Sequence, residues 1–287
     1  MPSRGAAVTP LIMGVLNASL DSLTGGVDAA GAAALAVEMV AGGAAVLDIG
    51  GQSLRTDQRE ITVAEELDRV EPVIEAVKEA CPTTTISSDT YRAAVAARTL
   101  ELGATLVNDP SGLIDPGMVE VVAASGADLV LAYSRATPKV RMTRAQLVDD
   151  VVADGIAFLS DRLEQLEVGG VDRRRVVVDI GPDLGKSPEQ TIAVLRQAAA
   201  MRRALGGVRM LFAVSRKDFI GALVERTPAR RGPGTFGALA AIDFRDGDMV
   251  RVHDVGGTAD FFAVRAALLD GWEGELDLPE HVRYEAP

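Results

Sequence analysis

Residues 249–255 read Met249-Val250-Arg251-Val252-His253-Asp254-Val255, an apolar, β-branched run that closes in two basic side chains and an acid, with Gly256-Gly257 directly behind it. Such a run bounded by glycine reads as a short buried strand. Strand side chains alternate faces, so Arg251 and His253 point the same way. A guanidinium beside an imidazole at a strand's C-terminal end makes a small anion clamp, because arginine offers a fork of donors that suits phosphate oxygens. A satisfied core histidine next to a rim arginine would leave the same trace. The clamp is favoured because earlier strands close in the same manner.

Working outward, short apolar runs alternate with longer amphipathic segments along the whole chain. Leu11 to Leu16 ends at Asn17 and leads to an Ala-rich helix from Asp28 to Ala41. Ala44 to Ile49 is closed by Gly50-Gly51; after a polar loop, Leu67, Val70, Val73, Ile74 and Val77 set a helical period over Val63 to Ala80. Thr84 to Ser88 runs into Asp89 and a helix from Tyr91 to Leu102, and Thr105 to Val107 into Asn108-Asp109 and a helix around Gly117 to Ala124. Asp128 to Ala132 precedes a helix predicted over Thr143 to Leu166. Arg175 to Val178 ends at Asp179, before an N-cap and first turn at Ser187-Pro188-Glu189-Gln190. Val208 to Val214 ends at Ser215-Arg216-Lys217, and the opening stretch is the eighth run, followed by a helix from Ala259 to Leu269.

Eight such alternations without a linker predict one (β/α)8 TIM barrel spanning 1–287, with surface tails at 1–9 and 273–287. A doubly wound sheet would want a Gly-rich phosphate fingerprint after the first strand, and none is there. Asn17, Asp89, Asn108, Asp179, Lys217, Arg251 and His253 all fall at or just past a strand's C-terminal end. In a barrel those ends converge on one mouth, which is where an active site belongs.

Composition narrows the partners. The chain of 287 residues is 48% hydrophobic and only 4% aromatic, so its core is built from Ala, Val, Leu and Ile. A formal net charge of −12 argues against nucleic acid and anionic membranes, and makes any anion site a local basic focus. Cys81 is the only cysteine, which excludes an intrachain disulfide and a cysteine metal cage. The start lacks the apolar run of a signal peptide, and Ala29 to Ile49 is interrupted by Glu38, Gly42-Gly43 and Asp48. A soluble cytoplasmic protein is the expectation.

The chain resembles the pterin-binding barrels, most closely the dihydropteroate synthase family. The matching segments are Ile12-Met13-Gly14-Val15-Leu16-Asn17, Asp48-Ile49-Gly50-Gly51-Gln52-Ser53-Leu54-Arg55, Ile86-Ser87-Ser88-Asp89-Thr90-Tyr91, Val107-Asn108-Asp109, Gly185-Lys186, Ser215-Arg216-Lys217-Asp218-Phe219-Ile220-Gly221 and Arg251-Val252-His253-Asp254-Val255. They run in order nearly from end to end. The resemblance implies an enzyme that joins 6-hydroxymethyl-dihydropterin diphosphate to p-aminobenzoate, releasing pyrophosphate, with Mg²⁺ and in a homodimer packed through late barrel helices. On that reading Asp89, Asn108, Asp179 and Lys217 bind the pterin, a heterocycle whose amine and ring N–H edge a buried carboxylate can accept. Asn17, Arg55, Arg251 and His253 hold the diphosphate, Asn17 also serving the metal, and Asp89, Lys217, Asp21 and Arg55 take part in the chemistry. Asp48 reads as an internally paired core acid, Asp254 equally as a helix cap or a ligand, and Ser215 as a turn cap.

Departures from the family pattern cluster in the loops. The first loop reads Asn17-Ala18-Ser19-Leu20-Asp21-Ser22-Leu23-Thr24, losing a proline and a phenylalanine; the second has Leu54 where the family has a hydroxyl. A Met-His pair becomes Ala132-Tyr133, and Asp-Pro-Gly-Ile-Gly-Phe-Gly-Lys becomes Asp179-Ile180-Gly181-Pro182-Asp183-Leu184-Gly185-Lys186. Two further readings follow: a homologue that binds the pterin diphosphate but uses another acceptor or does no chemistry, and a pterin-dependent methyltransferase. The second has no use for a diphosphate clamp.

Overall fold

The computed structural model describes residues 8–18, 28–53, 56, 58–140, 142–272 and 275–278. In chain order the elements are β1 (Leu11–Asn17), α1 (Ala29–Ala41), β2 (Val46–Gly50), α2 (Val63–Ala80), β3 (Thr85–Asp89), α3 (Ala93–Glu101), β4 (Leu106–Asp109), α4 (Gly117–Ser125), β5 (Asp128–Ala132), α5 (Val151–Val168), β6 (Val176–Asp179), α6 (Pro188–Arg196), α7 (Ala198–Ala204), β7 (Arg209–Phe212), α8 (Asp218–Val224), α9 (Gly232–Ala240), β8 (Met249–Val252) and α10 (Val255–Asp270). The strands pair in parallel in that order, and β8 returns to β1, closing the barrel. This is the (β/α)8 TIM barrel expected from the alternation.

Period-two alternation sorts each strand into two cores. Val250 and Val252 of β8 join Leu47, Ile49, Val107, Leu129 and Leu131 in the layer beneath the helices. Met249 joins Met13, Val46, Leu106, Val130, Val177 and Leu211 in the barrel lumen. Two residues further along, the same face presents Asp48 above Val46, Asn108 above Leu106, Asp179 above Val177 and Arg251 above Met249. An apolar plug thus carries a polar tier at the C-terminal end of the strands, as a packed barrel requires.

Local chemistry fixes the helix starts. Asp28 caps α1 through the Gly31 N–H at 2.8 Å, Thr62 and Glu65 form a reciprocal capping box on α2, and Ser187 with Gln190 does the same on α6. Asp254 caps α10 through the Gly257 N–H at 3.0 Å, so the helix begins four residues before the expected Ala259 and absorbs Gly256-Gly257 into its first turn. The helix expected from Thr143 begins at Val151 under an Asp150 cap; Thr143 instead caps a 3₁₀ turn over Arg144–Gln146. Two helices between β7 and β8 were not foreseen. α9 contains three glycines, a poor helix composition taken alone. Packing explains one of them: a Cβ on Gly234 would stand 2.3 Å from Ile220 of α8, so only glycine allows this approach. Among the described residues no helix is long and apolar enough to cross a membrane.

Candidate active site

The polar tier is organised around Asp48. Its side chain is fully buried and accepts hydrogen bonds from Ser87 Oγ at 2.6 Å, Asn108 Nδ2 at 3.0 Å and Arg251 Nε at 2.5 Å. Arg251 Nη2 reaches Asp89 at 2.6 Å, so one guanidinium holds two carboxylates from neighbouring strands. The internally paired acid expected at position 48 is therefore present, but its partners are themselves candidate ligands. A carboxylate only accepts, so the bond from Nδ2 fixes the orientation of the Asn108 amide and leaves its oxygen and its second N–H for a ligand. Asp89 is held above the usual carboxylate range, first by burial and against the pull of Arg251, with Asp48 and Glu66 adding to the rise.

Arg251 has a second task besides the expected anion clamp. Sequence alone assigned its fork to a diphosphate, whereas two of its donors are committed to Asp48 and Asp89. The burial of two acids in one tier is the reason: uncompensated, each would cost several kcal/mol. His253 also departs from a basic clamp. Its ring lies with Nδ1 3.0 Å from Ser215 Oγ, and its backbone N–H donates to the same oxygen at 3.3 Å. Burial, with Arg251, Arg216 and Lys217 nearby, pushes its pKa down to about 3, so His253 acts as a neutral imidazole. Ser215 is thus the partner of His253 rather than a simple turn cap.

Across the mouth, Asp179 is 5% exposed and accepts the Gly181 N–H at 2.8 Å. Burial raises its pKa, and the Gly181 N–H and the charges of Lys217, Lys186 and Arg251 oppose the rise. Lys186, quoted above only as part of a matching segment, proves to be a built feature. Its Nζ donates to the carbonyls of Tyr133 at 2.8 Å and Leu184 at 3.0 Å, and lies 3.7 Å from the centre of the Tyr133 ring. Burial brings its pKa down to about 7, with Asp179 opposing. Gly181 has φ +67, and a Cβ there would meet the Tyr133 carbonyl oxygen at 2.0 Å. Glycine is what lets the turn after β6 press against the end of β5.

A cavity of about 1190 Å³ opens between the loops after β5, β6 and β7, with Ser134, Lys186, Ser215, Lys217 and His253 in its wall. Asp179, Asn108 and Asp89 are not in that wall; they lie in the polar tier at the strand ends. Lys217 links the regions, since its charge acts on Asp179, Asp89 and His253. Arg251 links them too, through Asp89, Asp48 and its influence on Asp179 and His253. The candidate residues from six strand ends therefore share one mouth. Asn17 closes β1 in register with Gly50 of β2. Asp21 and Arg55 lie outside the described residues, as do Leu20, Leu23 and Leu54 of the altered loops.

The second loop is anchored by a network that sequence reasoning missed. Glu66 of α2, 1% exposed, receives Thr90 Oγ1 at 2.9 Å and Arg92 Nη1 at 2.5 Å. Gln52 donates to Tyr91 Oη at 2.6 Å and accepts the Ile61 N–H at 2.7 Å. No local pattern announces these partners, which lie 9 to 39 residues apart.

A family model described as pterin binding enzyme matches residues 13–253. The dihydropteroate synthase of Escherichia coli K12 is 31% identical over 282 residues, covering 96% of this chain and 95% of the relative. That of Synechocystis is 35% identical over 264 residues, covering 90% and 89%. Among solved structures, Xanthomonas albilineans dihydropteroate synthase with 4-aminobenzoic acid superposes with a TM-score of 0.81 at 33% identity, over 90% of this chain and 93% of that one. The Yersinia pestis enzyme in complex with a sulfonamide drug gives 0.84 at 29% identity, over 94% and 99%. The chain belongs to the pterin-binding enzyme family, and the relatives it matches over nearly its full length are dihydropteroate synthases.

Proposed function

We propose that this protein condenses 6-hydroxymethyl-7,8-dihydropterin diphosphate with p-aminobenzoate and releases pyrophosphate, the dihydropteroate synthase reaction of folate biosynthesis. The observation that carries the reading is the mouth itself. A buried carboxylate, Asp179, lies within reach of the charges of Lys186, Lys217 and Arg251, and the last two also act on His253. The relatives named above support it, as does the Xanthomonas albilineans enzyme solved with 7,8-dihydropteroate, whose TM-score is 0.78.

The residues divide the work by chemistry. Donors on the pterin's amine and ring N–H edge restore to Asp179 the hydrogen bonds that burial denies it, and favour its ionised form. The oxygen of Asn108 accepts beside it, and Lys217 donates to the ring carbonyl or a ring nitrogen. The amine nitrogen of p-aminobenzoate forms a bond to the exocyclic methylene while the carbon–oxygen bond to the diphosphate breaks. The electron pair leaves with pyrophosphate, and the new nitrogen gives up a proton to solvent. No protein nucleophile takes part. Asp89 stabilises cationic character at the methylene, oriented by Arg251.

The diphosphate is held by Asn17, by the N–H donor of His253 and by the Arg251 N–H groups not committed to Asp48 and Asp89, with Arg55 contributing from the second loop, while Asp21 of the first loop takes part in the chemistry. Mg²⁺ fits this arrangement as an ion carried mainly by phosphate oxygens and water, which needs few protein ligands. Asn17 would supply it with an amide oxygen; among the described residues no three His, Cys, Asp or Glu side chains form a cage. When bound, the ion would neutralise part of the leaving group's charge. A homodimer through the late helices is supported by the outer face of α10, where Leu268 is 80% and Val264 59% exposed.

The test is to incubate the purified protein with the pterin diphosphate and Mg²⁺, with and without p-aminobenzoate, and to follow pyrophosphate and dihydropteroate. Product only when p-aminobenzoate is present is the expected result. Tight pterin binding with no product would leave a binding protein in its place.

A further inference from the structure

Asp183 stands at φ +63, a left-handed conformation that costs most side chains energy and that aspartate tolerates better than most. The family pattern has glycine at this position, so the side chain is an addition of this chain. It is held from one side and reaches to the other. Thr191 of α6, fully buried, donates its hydroxyl to Asp183 Oδ1 at 3.1 Å and accepts the Asp183 N–H at 3.1 Å. Asp183 Oδ2 then accepts the backbone N–H of Asp218 at 2.5 Å, the first residue of α8. The residue directly before that N–H is Lys217, the N-cap of α8.

We infer that Asp183 is a positioning residue for pterin recognition, clamping the loop that follows Asp179 to the turn that carries Lys217. Two strand ends supply the groups that read opposite polarities of the heterocycle, and nothing in β6–β7 pairing fixes the loops beyond Asp179 and Phe212. Thr235 and Arg231 hold Arg216 and Asp218 on the α9 side of this turn, and the bridge from Thr191 through Asp183 to Asp218 spans the gap to β6 and ties the turn that carries Lys217 to the loop that follows Asp179. The hydrogen bond is charge-assisted, which makes it stronger than an ordinary loop contact. This inference rests on the pterin reading of the site.

The test compares the parent, Asp183→Gly and Asp183→Asn for binding of bare pterin by calorimetry and for KM and kcat with the diphosphate substrate. Glycine relieves the backbone strain, so folding is not at risk, and thermal melting checks this. Losing one charge-assisted bond corresponds to about a tenfold weaker pterin affinity, seen as a higher KM with a smaller change in kcat. Asparagine tolerates the same backbone and keeps an acceptor oxygen, so Asp183→Asn should recover to within about threefold of the parent. Equal pterin affinity in Asp183→Gly and the parent, or an asparagine variant no better than glycine, overturns the positioning role alone. A parent that binds no pterin overturns the site reading as well.

Discussion

Arg251→Ala removes the guanidinium that is hydrogen-bonded to both Asp48 and Asp89. Asp48 would keep only the Ser87 and Asn108 donors in a fully buried position, while Asp89, with 21% side-chain exposure, recovers some contact with water. Stripping one partner from a buried ion pair costs about 3–5 kcal/mol. The penalty has a ceiling, because a carboxylate of ordinary pKa can take up a proton at pH 7 for about 4 kcal/mol. The expected loss at pH 7 is therefore about 3–4 kcal/mol, a large share of a domain's stability. Burial already raises Asp89, and Arg251 is its main counterweight, so its pKa rises further in the variant. The folded state then binds more protons than the unfolded one above about pH 4, and stability is lost as pH rises through the folded value. Urea unfolding followed by circular dichroism at pH 5 and pH 8 reads this directly, with the variant nearest the parent at pH 5. A loss below about 1 kcal/mol at pH 7, the size of a surface pair, or an equal loss at both pH values, would refute the buried-hub account.

Asp179→Asn should weaken bare pterin by about 30- to 150-fold, the worth of a charge-assisted pair of hydrogen bonds, while leaving inorganic pyrophosphate affinity within twofold; calorimetry with each ligand separates the two. His253, depressed to about 3, contributes stability that is complete above its unfolded value near 6.5 and is lost as pH falls toward 3. Its ring resonances should stay fixed from pH 5 to 8 by NMR, and His253→Gln should flatten the acid side of the stability profile; a titration centred near 6.5 would show the imidazole to be solvated.

Several elements were legible because the signal was local. The bounds of α2 follow from its apolar period, and β5 from an unbroken apolar run between polar ends. The helix boundaries at Val151 and Val255 were not legible, because Thr143 and Asp150 are both competent caps, and Asp254 caps a turn containing two glycines. α9 was hidden by its glycines, whose reason lies in α8 rather than in their own segment.

By itself the sequence determined that polar candidates stand at or just past the ends of six of the eight apolar runs, and any barrel those runs close then gathers them at one mouth. It also determined the matched segments by which the family is known. Only tertiary structure decided which of these groups are committed to one another. Arg251 serves Asp48 and Asp89, His253 is neutral beside Ser215, and Lys186 reaches carbonyls on two loops. Those outcomes depend on burial and on hydrogen-bond partners up to 203 residues apart, and a pattern along one strand carries neither.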